Sequence, residues 1–145
     1  MIKRLAFAAL ALALLAIIIH SCKKEEVNIP SVEPLKDVNG SWKIIKALRN
    51  GTDMTARFDF SRFRISFADS SYTISNPVPF IVAGNGTWKF DDARFPFIMN
   101  FRAVGDTLKS TEIQYPVTKG VRNIIISFSP GCKANTYQYT LEKEN

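Results

Sequence analysis

The sequence predicts an all-β domain, an antiparallel meander of about eight strands closed into a barrel. Three observations lead there. Polar and apolar residues alternate with period two through most of the chain after Gly40, and pairs containing Gly, Asn or Pro punctuate that alternation at short intervals. No window of about eleven residues carries the 3.6-residue period of an amphipathic helix. Closure removes the two exposed edges of a meander, which favours a barrel; a two-sheet β-sandwich is the alternative arrangement of the same strands.

The strands are expected near 41–49, 56–67, 72–76, 80–90, 95–103, 107–117, 122–129 and 136–143, with room for a bend or break in the second and fourth spans. Arg62-Phe63-Arg64-Ile65-Ser66-Phe67 alternates without exception, and Tyr72-Thr73-Ile74-Ser75 resumes after the turn-like Asp69-Ser70-Ser71. Asn76-Pro77-Val78-Pro79 cannot sit in a central strand, because proline has no N–H to donate; it predicts an edge or a rim loop. Thr87-Trp88-Lys89-Phe90 opens the next half-buried pattern. Phe95, Phe97, Met99 and Phe101 then share one phase, as do Ile124, Ile126 and Phe128, and Tyr137, Tyr139 and Leu141 close the chain. Asn39-Gly40, Asn50-Gly51 and Asn85-Gly86 read as turns because Gly, and less easily Asn, accepts positive φ. Gly105-Asp106, Lys119-Gly120 and Pro130-Gly131 mark further turns.

Ahead of this domain, Lys3 and Arg4 precede an uncharged apolar run from Leu5 to Ile19. Fifteen residues of helix span about 22 Å, short of the roughly 30 Å hydrocarbon core, so the run reads as an export signal and not as a membrane span. Ile18-Ile19-His20-Ser21-Cys22 resembles a bacterial lipobox. That resemblance implies that the signal 1–21 is removed and that Cys22 is acylated, an anchor of several chains that holds the domain at a membrane. Residues 22–37 then form the acylated Cys22 and a tether containing Pro30 and Pro34, and 38–145 the folded domain. Lys24-Glu25-Glu26 resembles the surface-export signal of Bacteroidota-type lipoproteins and implies an outer-membrane, lipid-anchored, surface location, with the periplasmic face as the alternative.

Gly40-Ser41-Trp42 is similar to the Gly-x-Trp opening of lipocalin-type barrels, where the Trp plugs one end. Together with Asn50-Gly51-x-Asp53-x-Thr55, Phe58-Asp59-Phe60-x-x-Phe63 and Gly86-x-Trp88, it resembles the lipocalin-like lipoproteins of Bacteroidota, a family mostly of unknown function. Lys143 stands near the last strand's end, where lipocalins carry an arginine.

Composition narrows the function further. The 145-residue chain has a single histidine, His20, inside the removable segment, so Ser-His-Asp and Cys-His catalysis and His-ligated metal sites are excluded from the processed protein. Without Lys3 and Arg4 the formal charge is +4, and the bases are scattered, so nucleic acid is not an expected partner. With Cys22 acylated, Cys132 stands alone as a small filler. Asp91-Asp92, the one adjacent acidic pair of the body, lies between Lys89 and Arg94 and reads as a charged turn. No catalytic residues, metal or cofactor are expected, and the protein is read as a non-enzyme.

The 11 Phe, 4 Tyr and 2 Trp of the chain fill a core for the most part. Inward Phe63, Phe67, Trp88, Phe97 and Phe101 leave little room for a deep pocket, whereas Tyr137, Tyr139 and Phe80 can form a platform at a rim. The expected role is a binding or accessory module for a small apolar ligand or glycan. The alternative is a protein–protein module or inhibitor within an envelope complex. An enclosed cavity above roughly 300 Å³ would favour the first, and a filled barrel with an exposed apolar patch the second.

Overall fold

Alternation in the sequence becomes inside and outside in space. A computed structural model describes residues 35–131 and 134–144. Its strands are β1 (Gly40–Arg49), β2 (Thr52–Asp53), β3 (Arg64–Ala68), β4 (Ser71–Ser75), β5 (Gly86–Phe90), β6 (Ile98–Ala103), β7 (Lys109–Gln114), β8 (Val117–Thr118), β9 (Val121–Phe128) and β10 (Tyr137–Lys143). Eight of them pair antiparallel in the order β1-β3-β4-β5-β6-β7-β9-β10, and β10 returns to β1, so the sheet closes into a barrel. The described residues contain no helix.

The two short strands extend their neighbours. β2 folds back on β1 through Asn50-Gly51, whose φ values of 49° and 78° suit a two-residue hairpin turn. β8 continues β7 past Tyr115-Pro116 in one register against β9, with Gln114 opposite Ile125 and Val117 opposite Arg122. Lys119-Gly120 turns that hairpin in the same way, at φ 52° and 80°.

Inward side chains fill the barrel. Trp42, Phe63, Ile65, Tyr72, Met99, Phe101, Ile124, Ile126, Tyr139 and Leu141 are all buried. At one end Trp42 lies under Val38 and donates its Nε1–H to the Val38 carbonyl at 2.8 Å, so the indole closes that end without an orphaned donor. At the other end the 76–85 loop turns Phe80 and Val82 into the core. A bulge at Ile45 makes two successive residues, Ile45 and Lys46, face outward, and the inward phase resumes at Ala47.

Several expectations are corrected. The spans 56–67 and 80–90 are strands only at Arg64–Ala68 and Gly86–Phe90. An Asx turn (Asp59 Oδ1 accepting the Ser61 N–H at 2.9 Å) helps fold the first into loop, and in the second 80–85 belong to the loop that begins ahead of it at Pro77 and Pro79. Asn39-Gly40 and Asn85-Gly86 are not turns. Their asparagine Oδ1 atoms accept the Asp69 and Ile74 N–H groups across the structure, and Gly86 is needed because a Cβ there would meet the Arg102 carbonyl. Phe97 keeps the inward phase of Met99 and Phe101 but lies beyond the last β5–β6 pair, Phe90 with Met99. With no barrel left to enter, it is 72% exposed. Cys22, the lipobox and Cys132 lie outside the described residues.

Candidate functional site

The rim that holds the 76–85 loop has an apolar cleft of about 190 Å³. Four pieces of chain build it. The end of β1 supplies Ala47, Leu48 and Arg49, and the Asn50-Gly51 turn brings Met54 back beside them, its N–H bonded to the Ala47 carbonyl at 2.8 Å. The loop after β2 adds Phe58 and Phe60, β10 adds Tyr137 and Tyr139, and the rim loop adds Pro79. The β1–β10 register, Arg49 opposite Tyr137 and Ala47 opposite Tyr139, sets both walls.

Aromatic contacts hold the walls still. Tyr139 lies parallel to Phe80 (6.1 Å, 8°) and meets the edge of Phe60 at 5.6 Å, while Tyr137 stacks on Phe128 at 5.6 Å and 14°. Buried Tyr139 donates its hydroxyl to the Pro79 carbonyl at 2.6 Å, and burial pushes its pKa up, so it stays a neutral donor. Arg49 supplies the cleft's positive charge. Its guanidinium sits 5.7 Å from the Tyr137 ring centroid and donates to Asn135 Oδ1 at 3.0 Å. Among the described residues no acidic side chain lines the cleft, and Phe58 leaves it open, 52% exposed.

The structure therefore brings Tyr137, Tyr139 and Phe80 together at a rim, but Phe80 stacks on Tyr139 without lining the cleft, Tyr139 and Phe80 are buried and only Tyr137 is part-exposed. Leu48, Met54 and Phe58 were not legible as site residues, although two Asx signals, Asp53-Met54-Thr55 and Asp59-Phe60-Ser61, bracket the loop that presents them. Asp91 and Asp92 form the β5–β6 turn at the opposite end, their oxygens bonded to nearby backbone N–H groups. Among the described residues no three His, Cys, Asp or Glu side chains gather as a metal centre would require. A larger depression of about 610 Å³ beside β7 and β9 is more open and of mixed lining, with Ile98 and Phe128 among Ser110, Thr111, Glu112 and Ser127.

A family model described as a domain of unknown function (DUF5004) matches residues 21–142. No curated protein and no solved structure matches the chain.

Proposed function

The chain belongs to the DUF5004 family, and we propose that it is a lipid-anchored, cell-envelope binding module of lipocalin-like lipoprotein type, without enzymatic activity. Acylated Cys22 holds it at the outer membrane, on the cell surface, and its rim cleft takes a small apolar molecule or one face of a glycan. The observation that carries the binding role is the aromatic cleft of about 190 Å³ at the rim of a filled barrel. That volume is below the roughly 300 Å³ that would favour an enclosed small-molecule site. The filled barrel with exposed apolar residues meets the condition set for a partner protein, so the small-ligand reading rests on the cleft's aromatic walls alone. The ligand therefore inserts one ring or one chain end and stays largely outside, in contrast to a lipocalin's enclosed cargo.

Titration with hexoses, N-acetylhexosamines, phenol and indole, followed by protein NMR, tests the reading. The resonances of Met54, Phe58 and Tyr137 should shift together and saturate; a series that moves none of them ends it. The anchor is tested separately by Cys22→Ala, which should release the protein from the membrane fraction. Exposed Phe58 supports a second reading, in which a partner protein seats a side chain in the cleft. A photo-crosslinking amino acid at position 58 would then capture one discrete protein in cells, and a Tyr137→Ala background would abolish the capture.

A further inference from the structure

The barrel end remote from the cleft carries apolar side chains that no other described residue covers. Phe95 and Phe97 in the β5–β6 loop, Val117 and Val121 in the β8–β9 hairpin, and Leu35 are all exposed. Three contacts place them at one end. The Lys36 N–H donates to the Ala93 carbonyl at 2.8 Å, the Ile113 N–H donates to the Phe97 carbonyl at 3.0 Å, and the Phe90 and Tyr115 rings meet at 5.9 Å.

Two carboxylates fix this display. Asp91 Oδ1 accepts the Phe97 and Ile98 N–H groups, both at 3.1 Å, and Asp92 Oδ1 accepts those of Arg94 and Phe95 at 2.7 and 3.0 Å. With the loop's donors satisfied locally, the two rings are held outward by an ordered turn.

Chain connectivity says what faces this end. Thirteen peptide links separate Cys22 from Leu35, a reach of at most about 45 Å. The eight residues of β9 alone run about 26 Å. For the cleft end to face the bilayer the tether would have to run back along that length, so an anchor at Cys22 favours the Leu35 end, where the chain enters the barrel, as the nearer one. Arg94 and Lys119 in the same two turns offset Asp91 and Asp92, so these turns present no net charge to the bilayer and the apolar side chains carry the contact.

We propose that this end docks on the lipid surface, with Phe95, Phe97, Val117 and Val121 entering the interface, so that the rim cleft points away from the membrane. The docking rests on the acylation of Cys22 proposed above. Its test uses the processed, acylated protein carrying Phe97→Trp or Phe58→Trp, reconstituted into phosphatidylcholine vesicles with or without bromine on one acyl chain. At the roughly 5–10 Å depth of an interfacial apolar face, bromine should cut the fluorescence added by Phe97→Trp about twofold and leave that added by Phe58→Trp unchanged. Co-flotation with vesicles but equal, negligible quenching at both positions overturns the docking and leaves the anchor standing. Failure to co-float overturns both. A detergent-stable dimer lost in Phe97→Ser, together with absent quenching, would assign the face to a second copy and also overturn the proposal.

Discussion

Tyr139 donates its hydroxyl to the carbonyl of Pro79 at 2.6 Å, across 60 residues of chain. The bond joins the last strand of the barrel to the proline loop that closes its rim, and the Phe80 ring lies parallel to the Tyr139 ring beside it. Stability and cleft geometry thus meet in one side chain.

Tyr139→Phe should keep the ring packing and leave the Pro79 carbonyl without its donor. The expected cost is about 1–2 kcal/mol in urea unfolding, with faster amide exchange confined to 76–85. An unchanged midpoint would mean that water replaces the hydroxyl at no cost. Burial also raises the Tyr72 pKa from 10.0 to about 12, and pushes the Tyr115 and Tyr139 hydroxyls up as well. A raised folded-state pKa gives stability that is complete below pH 10 and lost above it, so alkaline unfolding should begin there.

Two glycine substitutions should separate close approach from backbone conformation. Gly86→Ala puts a methyl group against the backbone of Arg102 and should cost about 1–3 kcal/mol or prevent folding. Gly105→Ala meets open space and should cost about 1 kcal/mol, from its φ of 78° alone. Thermal unfolding of the pair checks the order, and equal losses would remove the steric argument at Gly86.

Acid should loosen the β5–β6 turn before the barrel. The Ile98 N–H chiefly holds Asp91, and the Phe95 N–H chiefly holds Asp92, below the ordinary 3.8. A depressed carboxyl contributes stability that is present above pH 3.8 and lost as the pH falls through the folded-state value. Below pH 3.8, amide exchange at Phe97 and Ile98 should therefore rise while that of Ile124 and Ile126 stays slow. Asp91→Asn should reproduce the loosening at neutral pH, since an amide oxygen is a weaker acceptor than a carboxylate.

Phe58→Ala and Tyr137→Ala probe the cleft differently. Exposed Phe58 should be removable within about 0.5 kcal/mol of stability, whereas Tyr137, stacked on Phe128, should cost more. Both should weaken binding of an aromatic or sugar ring by about 0.5–1.5 kcal/mol, the worth of one aromatic contact. Ligand-observed NMR on the two variants checks this, and unaltered binding in both would move the site elsewhere.

Strand identity was readable where alternation and burial agree. Arg64–Ala68 alternates in sequence and in space, because each second side chain enters a core that continues on both sides. The reading failed where apolar residues serve a loop. Phe80 and Val82 look like strand residues yet cap the rim, and Phe97 keeps the right phase beyond the end of its partner strand. The cleft was half legible: Tyr137 and Tyr139 stand two apart on one strand face, but Met54 and Phe58 join them only through the Asn50-Gly51 reversal and two Asx turns.

By itself the sequence determined an all-β antiparallel meander rich in aromatic residues, with no histidine downstream of residue 20. That the meander closes into a barrel, and not into a sandwich, was decided by the pairing of β10 with β1. Period-two patterning and turn chemistry are local properties, written into neighbouring residues. Only the tertiary structure decided that the interior is full, that the cleft lies at the rim, and that exposed phenylalanines mark the opposite end. Those outcomes depend on register, on the bulge at Ile45 and on where each strand loses its partner, which are relations between residues far apart in the chain.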